Sequence, residues 1–273
     1  MMKIKMETQN RRHYKTVILS DIHLGSEYSK SREVINLLKS IDCDKLILNG
    51  DIIDGWQLKK SHKHWNPEHT LFFRVLMKMM ENCNTEIILV RGNHDDFLDK
   101  LIPFNFGKLS IVMDYVLISN GMRYYVTHGD LFDTITTNFK YLSILGDYAY
   151  TALLHINKYY NKYRAWRNKP YYSLSQKIKH QVKGAVNYIS DFRNSLVNLA
   201  RIRNFDGVIC GHIHQASNEV FQGVHYMNSG DWVESMSALF EDDEGNWIVE
   251  TYSEDKYGSI NDNEDKAIYR LSV

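Results

Sequence analysis

Apolar positions along this chain follow two rhythms. Thr16-Val17-Ile18-Leu19, Lys45-Leu46-Ile47-Leu48 and Glu86-Ile87-Ile88-Leu89-Val90 are short apolar runs bounded by turn residues. Runs of that length suit strands buried on both faces. Between them, Val34, Leu37, Leu38 and Ile41, then Leu71, Phe72, Val75, Leu76 and Met79, recur at helical spacing. They predict amphipathic helices over 31–41 and 68–81. The order βαβαβ implies a parallel sheet with helices packed on it. A weaker strand pattern covers Gly107 to Ile118, and a clearer one Arg123 to Thr127. From Leu131 to about Asn204 the pattern is helical, split by Pro170. Phe205 to Cys210 returns to strand. Val220 to Met227, Ser235 to Phe240 and Asn246 to Tyr252 read as short antiparallel strands with Gly turns. The expected layout is one α/β domain over 15–252 with a helical insertion at about 131–204. A polar extension (1–14) precedes it and a polar, acidic tail (253–273) follows.

The chemistry sits where the strands stop. The first run ends in Ser20-Asp21-Ile22-His23-Leu24-Gly25, the second in Asn49-Gly50-Asp51-Ile52-Ile53-Asp54-Gly55-Trp56, the third in Arg91-Gly92-Asn93-His94-Asp95. Two later runs end in His128-Gly129-Asp130 and Gly211-His212-Ile213-His214. Any one of these reads equally well as a surface turn, because Asn, Asp and Gly are turn residues. Five strand ends in order, four with an adjacent Gly, point instead to one site at the carboxyl edge of a sheet. The donors are carboxylate, amide and imidazole, with no thiolate, which suits transition ions more than calcium or magnesium. Seven donors exceed one tetrahedral site and fit two ions sharing a carboxylate. Two ions roughly 3.5–4 Å apart can activate a water and clamp the oxygens of an in-line phosphoryl displacement.

These five motifs, in this order, resemble the calcineurin-like metallophosphoesterases. The resemblance implies a four-layer α-β-β-α sandwich with a helical lid and a dimetal site at one edge. It implies that Asp21, His23, Asp51 and His214 hold one divalent ion. Asp51, Asn93, His128 and His212 would hold the other, with manganese the first candidate and iron or zinc the alternatives. His94, oriented by Asp95, would serve the leaving oxygen, and Asn93, Arg91, Asp54 and Trp56 would face substrate. Over Lys15 to Tyr252 the chain is also similar to UDP-2,3-diacylglucosamine diphosphatases, through the Ser20–Gly25 motif, Trp56 and the insertion. That branch hydrolyses a lipid-linked UDP-sugar to UMP and an acylated sugar phosphate in lipid A synthesis. Its pattern has Arg where this chain has His94.

Composition adds one local feature. Lys and Arg number 33, as do Asp and Glu, so the chain is neutral overall. Leu131 to Asn204 nevertheless holds twelve Lys or Arg against three acids, Asp133, Asp147 and Asp191. Tyrosines 141, 148, 150, 159, 160, 163, 171 and 172 and Trp166 crowd the same segment. A solvated helical cap, a lid for an anionic lipid-nucleotide on a membrane surface, and a nucleic-acid grip all fit. Its place between two metal motifs favours the lid, with Leu142, Ile144, Leu145, Leu153 and Leu154 toward acyl chains; nucleic acid ranks below it. Cys43, Cys83 and Cys210 show no CxxC spacing and read as reduced thiols. Met1 to Lys15 lacks the apolar core of a secretory signal, and no run reaches the 18 or more apolar residues of a membrane span. The expected location is cytoplasmic, peripheral on the inner membrane.

Overall fold

The computed structural model describes residues 11–132, 156–171 and 183–258. β1 (Arg12–Leu19), β2 (Ile41–Asn49) and β3 (Glu86–Val90) are parallel, with Ile18, Ile47 and Ile88 in register. α1 (Ser31–Ser40), the short α2 (Gly55–Lys60) and α3 (Pro67–Asn82) connect them. The Asn66 side chain accepts from His69 N–H, and the His69 ring accepts from Asn66 N–H. Two orphan donors at the start of α3 are thereby satisfied reciprocally, fixing where that helix begins.

β4 (Phe104–Phe106) and β5 (Leu109–Val112) extend this sheet at one edge. β11 (Ser237–Glu241) and β12 (Trp247–Thr251) extend it at the other, in the order β12-β11-β1-β2-β3-β5-β4. A second sheet holds β6 (Tyr115–Ser119), β7 (Met122–Val126), β8 (Gly207–Cys210), β9 (Ser217–Phe221) and β10 (Val224–Asn228), in the order β6-β7-β8-β10-β9.

Strand alternation sorts the apolar runs into layers. Val17, Leu19, Leu46, Leu48, Ile87 and Leu89 face α1 and α3. Ile18, Ile47, Ile88 and Val90 point the other way, onto Leu117, Tyr124, Val126, Ile209 and Met227 of the second sheet. The far side of that sheet is covered by α5 (Lys183–Ile202), through Phe192, Leu196, Val197 and Ala200. A helical stretch at 156–166, α4, precedes it. The order is therefore α-β-β-α, as expected. Each fully buried aliphatic side chain in the seam contributes about 1.5–3 kcal/mol.

Three expectations change. The single strand expected over 107–118 is parts of two sheets, because the chain crosses between them at Met113-Asp114. The run Val220–Met227 is broken into a hairpin at Gln222 and Gly223, both with positive φ, as a two-residue turn requires. The polar ends are partly built in. Tyr14 is buried in β1, and Tyr257, in the short α6 (Glu254–Tyr257), stacks on Phe240 at 6.5 Å. No helix among the described residues is long and apolar enough to cross a membrane.

Candidate metal centre

The carboxyl ends of β1, β2 and β3 in one sheet and of β7 and β8 in the other meet at one edge of the sandwich. The loops there are bonded to each other rather than free. Asp21 N–H donates to Gly50 O at 3.0 Å, His23 N–H to Asp51 O at 2.9 Å, and Gly211 N–H to His128 O at 3.1 Å. Asp21, His23, Asp51, His212 and His214 all have φ between 53° and 68°. Left-handed backbone at a non-glycine residue costs on the order of 1–3 kcal/mol, and it persists where the surroundings over-determine it.

Each key carboxylate is split between holding the loop and facing the site. Asp51 Oδ1 accepts from His94 N–H at 2.8 Å. Its other oxygen lies 3.3 Å from His128 Nε2, 3.9 Å from His23 Nε2 and 4.0 Å from His94 Nε2. Asp21 repeats the device. Oδ2 accepts from His212 N–H at 3.0 Å, and Oδ1 lies 3.1 Å from His214 Nε2 and 4.0 Å from His23 Nε2. His128 donates Nδ1–H to Asn49 O at 3.0 Å, which fixes its tautomer and turns the Nε2 lone pair inward.

Three groups of possible ligand atoms result: Asp21, His23 and His214; His23, Asp51 and His94; Asp51, His128 and His212. Within each, the atoms lie within 4.8 Å of one another. These residues fit divalent cations. Asn93 Oδ1 is buried and makes no hydrogen bond among the described residues, and buried Asp21 Oδ1 and His128 Nε2 have only the opposite charges of the cluster beside them, without hydrogen-bond geometry. Stranded polar atoms of that kind carry a desolvation cost of about 1–3 kcal/mol each unless something coordinates them. The field agrees. Burial lowers the basicity of His128, yet Asp51 and Asp21 outweigh it and push the imidazole up to about 10. Carboxylates that hold a proton on a fully buried ring are suited to a divalent ion in its place.

Two glycines are sterically required. A Cβ on Gly92 would lie 2.2 Å from Asp51 N and 2.3 Å from Asp51 Oδ1. On Gly50, whose φ is +82°, it would lie 2.4 Å from the His128 ring.

His94 stands against the cluster with a different partner from the one expected. Its Nδ1 is 3.1 Å from Asp54 Oδ1, so Asp54, not Asp95, orients the ring. Asp95 turns away. Its Oδ2 accepts from Ile52 N–H at 3.1 Å and its Oδ1 from Ile53 N–H at 2.9 Å. It is a brace for the Asp51 loop, and burial together with Asp51 raises its carboxyl to about 7. Burial alone would lower His94, but the Asp54 hydrogen bond and the Asp51 charge raise it above its ordinary value. Trp56 stacks on His94 at 4.0 Å and 29°, and 44% of it remains exposed at the mouth.

Arg91 is also corrected. Its guanidinium is spent on Asp99, with Nε to Oδ1 at 2.8 Å, and on Asp130, with Nη1 to Oδ2 at 2.6 Å. It ties the end of β3 to the end of β7 rather than facing phosphate.

Asn228-Ser229-Gly230-Asp231 at the end of β10 also joins this edge, although no expected site residue lies in it. Asn228 donates to Gly211 O at 2.8 Å, Ser229 Oγ meets Ser20 Oγ at 2.7 Å, and Trp232 N–H donates to Asp21 O at 3.0 Å. The signal was there, a strand ending in Asn, Gly and Asp, but without an imidazole. Of the insertion, Tyr141, Tyr148, Tyr150, Tyr172 and the leucines and isoleucine from 142 to 154 lie outside the described residues. α4 lies beside the loop that follows His23. Lys158 Nζ is 3.8 Å from Glu27 Oε2, and Lys30 lies over the Tyr171 ring at 5.4 Å. Phe192 of α5 approaches His212 at 6.0 Å.

Solved structures of similar fold include an archaeal phosphodiesterase at 15% identity and a TM-score of 0.40, covering 86% of this chain and 98% of that one. They also include a predicted phosphoesterase from Streptococcus pneumoniae at 16% and 0.34, covering 84% of each chain. Vacuolar protein sorting 29 from Cryptosporidium parvum matches at 9% and 0.36, covering 86% of this chain and 94% of that one. Among curated proteins, no sequence matches at a significant level. The sequence profile described as calcineurin-like phosphoesterase matches residues 14–216, from β1 through the ligand set after Gly211. The chain belongs to that family, as a metal-dependent phosphoesterase with a buried His/Asp metal-binding cluster.

Proposed function

We propose that this chain hydrolyses a phosphate ester whose leaving group is an alkoxide, in a nucleotide, a nucleic acid or a phospholipid-like ester. One observation carries the reading: His94, paired with Asp54, stands 4.0 Å from the inward oxygen of Asp51, a carboxylate common to two ligand groups. Two divalent ions fit the donors, with manganese first and iron or zinc as alternatives. Asp21, His23 and His214 would hold one and Asn93, His128 and His212 the other, with Asp51 shared. When bound, such ions supply Lewis acidity at a phosphoryl oxygen and lower the pKa of a water. The chain's own part is positioning and proton transfer. His94 keeps Nδ1 on Asp54 and presents Nε2 to the site, from which a proton passes to the leaving oxygen as the P–O bond breaks. Trp56 shields one face of that ring.

The lipid-linked UDP-sugar diphosphate suggested by the sequence is the second reading. What supports it is the basic, aromatic insertion against the loop of His23, together with the half-exposed Trp56. The two readings differ in their need for an acid, since a sugar phosphate leaves readily unprotonated. A manganese-supplemented screen of alkyl phosphate esters, cyclic nucleotides, single-stranded nucleic acid and UDP-diacylglucosamine separates them. Turnover of alkyl esters that drops in His94→Ala is expected. Turnover of the diphosphate alone, unchanged in His94→Ala, would overturn the ester reading in favour of the second.

A further inference from the structure

α4 is built inside out. Its least exposed residues are polar: Asn157 is buried, and Asn161 and Arg164 are half-buried. Spacings of four and three place these on one face of a helix. The opposite face is aromatic and in water. Tyr159 is 70% exposed, Tyr163 54% and Trp166 75%, with Ile156 beside them at 54%. A surface helix of a globular protein shows the reverse arrangement. Among the described residues, these side chains are not buried.

The charges that residues 156–171 themselves carry have one sign, with Lys158 facing Glu27 of the neighbouring loop. Lys158, Lys162, Arg164, Arg167 and Lys169 lie between 156 and 171, and no Asp or Glu does. Arg167 lies over the Tyr163 ring at 5.9 Å, so a cation and an aromatic face share one patch. Tyr and Trp settle at the headgroup level of a bilayer, where one end of the ring is apolar and the other wet. Lysine and arginine stems at the rim extend their charges to anionic headgroups. At about 1.5 Å per residue the helix is roughly 16 Å long, suited to lying in the interface plane and far too short to span it.

We propose that α4 is the surface by which this protein docks onto an anionic lipid bilayer, with Tyr159, Tyr163 and Trp166 entering the headgroup layer. α4 borders the loop carrying His23 through Lys158 and Glu27, so docking would bring the metal centre to the membrane. Nothing in the proposal depends on the substrate assigned above.

The test uses the full chain and vesicles of phosphatidylcholine, with or without about one third phosphatidylglycerol. Sedimentation with the anionic vesicles is expected, weakened at high salt, and weak with phosphatidylcholine alone. The triple variant Tyr159→Ser, Tyr163→Ser, Trp166→Ser should lose on the order of tenfold or more in vesicle affinity. Lys162→Glu with Lys169→Glu should lose a comparable amount. Hydrolysis of a small soluble ester should stay within about twofold in both, because none of these residues touches the centre. That control separates failure here from failure of the proposed activity. Wild-type protein left in the supernatant, or a triple variant that sediments normally, would overturn the proposal. So would variants that keep vesicle binding but lose single-stranded DNA, or that only dissolve a dimer in ultracentrifugation.

Discussion

The two sheets contribute different chemistry to the same edge. The seven-stranded sheet delivers Asp21, Asp51 and Asn93, with His23 beside them, so it is mainly the oxygen side. The five-stranded sheet delivers His128, His212 and His214 and, among the described residues, no candidate carboxylate. The oxygen side is self-supporting, because Asp21, Asp51 and their neighbours are bonded loop to loop within one parallel unit. The imidazole side is placed by the first sheet: His128 donates to Asn49 O, and His212 N–H donates to Asp21 Oδ2. The candidate ligand set is thus completed only when the sheets stack. The seam of Ile18, Ile47, Ile88, Val126 and Ile209 is as much a part of the site as the ligands are.

The largest expected effect comes from the residue that both sides share. Asp51→Asn keeps the shape and removes the charge common to two ligand groups. Activity should fall by on the order of 10⁴-fold, the several kcal/mol that a metal supplies to a phosphoryl transition state. Metal content, read by elemental analysis, should fall below that of wild type and below that of any single imidazole variant, and most of the thermal stabilisation by added manganese should be lost. A variant with two ions and near-normal turnover would break the shared-carboxylate reading. His214→Ala tests the other side and should do less. It removes one imidazole next to Asp21 and leaves the Asp51–His128–His212 group whole. About one ion should remain where wild type holds two. Equal and complete metal loss in both variants would show that the two sides do not divide the site.

Asp54→Asn comes next. The amide still caps α2 and can still accept from His94, but it no longer draws charge onto the ring. The cost should be about 10–100-fold on an alkyl ester, typical for a group that orients another. It should shrink toward nothing on an aryl ester whose leaving group needs no acid. Metal content should not change. Asp95→Asn is the contrast, since its carboxylate braces the Asp51 loop; there the loss should be equal on both esters.

That pair also shows where the sequence stopped being readable. The strands and the ligand spacing were legible, because alternation and strand-end turns are local signals. Glu86–Val90 is a strand at the bounds its apolar run predicts. Which of two nearby carboxylates meets His94 was not legible. Asp95 is adjacent in sequence, but the backbone turns there and sends its oxygens to the amides of Ile52 and Ile53. Asp54 is forty residues away and arrives on a different strand end. The role of Arg91 was hidden for the same reason, since Asp130 reaches it from the other sheet. Asn228 to Asp231 carried the strand-end signature without a metal-type ring, so ligand chemistry did not point to it.

The smallest effect tests the seam directly. Arg91 and Asp130 are each 14% exposed at the side chain and join the end of β3 to the end of β7. Arg91→Gln leaves Asp130 without its cation in a largely desolvated place. Removing one partner of such a pair costs more than the pair contributes, so about 1–3 kcal/mol of stability should be lost. The penalty should fall on the join between sheets, not on the chemistry. Turnover at saturating metal should stay within a few-fold, while the manganese concentration needed for half activity should rise, because the imidazole side is held less firmly against the oxygen side. Lysine at 91 restores the charge but not the two-armed fork, and should recover only part of the loss. Were Arg91 instead a phosphate clamp, Arg91→Gln would raise KM for every substrate and leave the metal requirement alone.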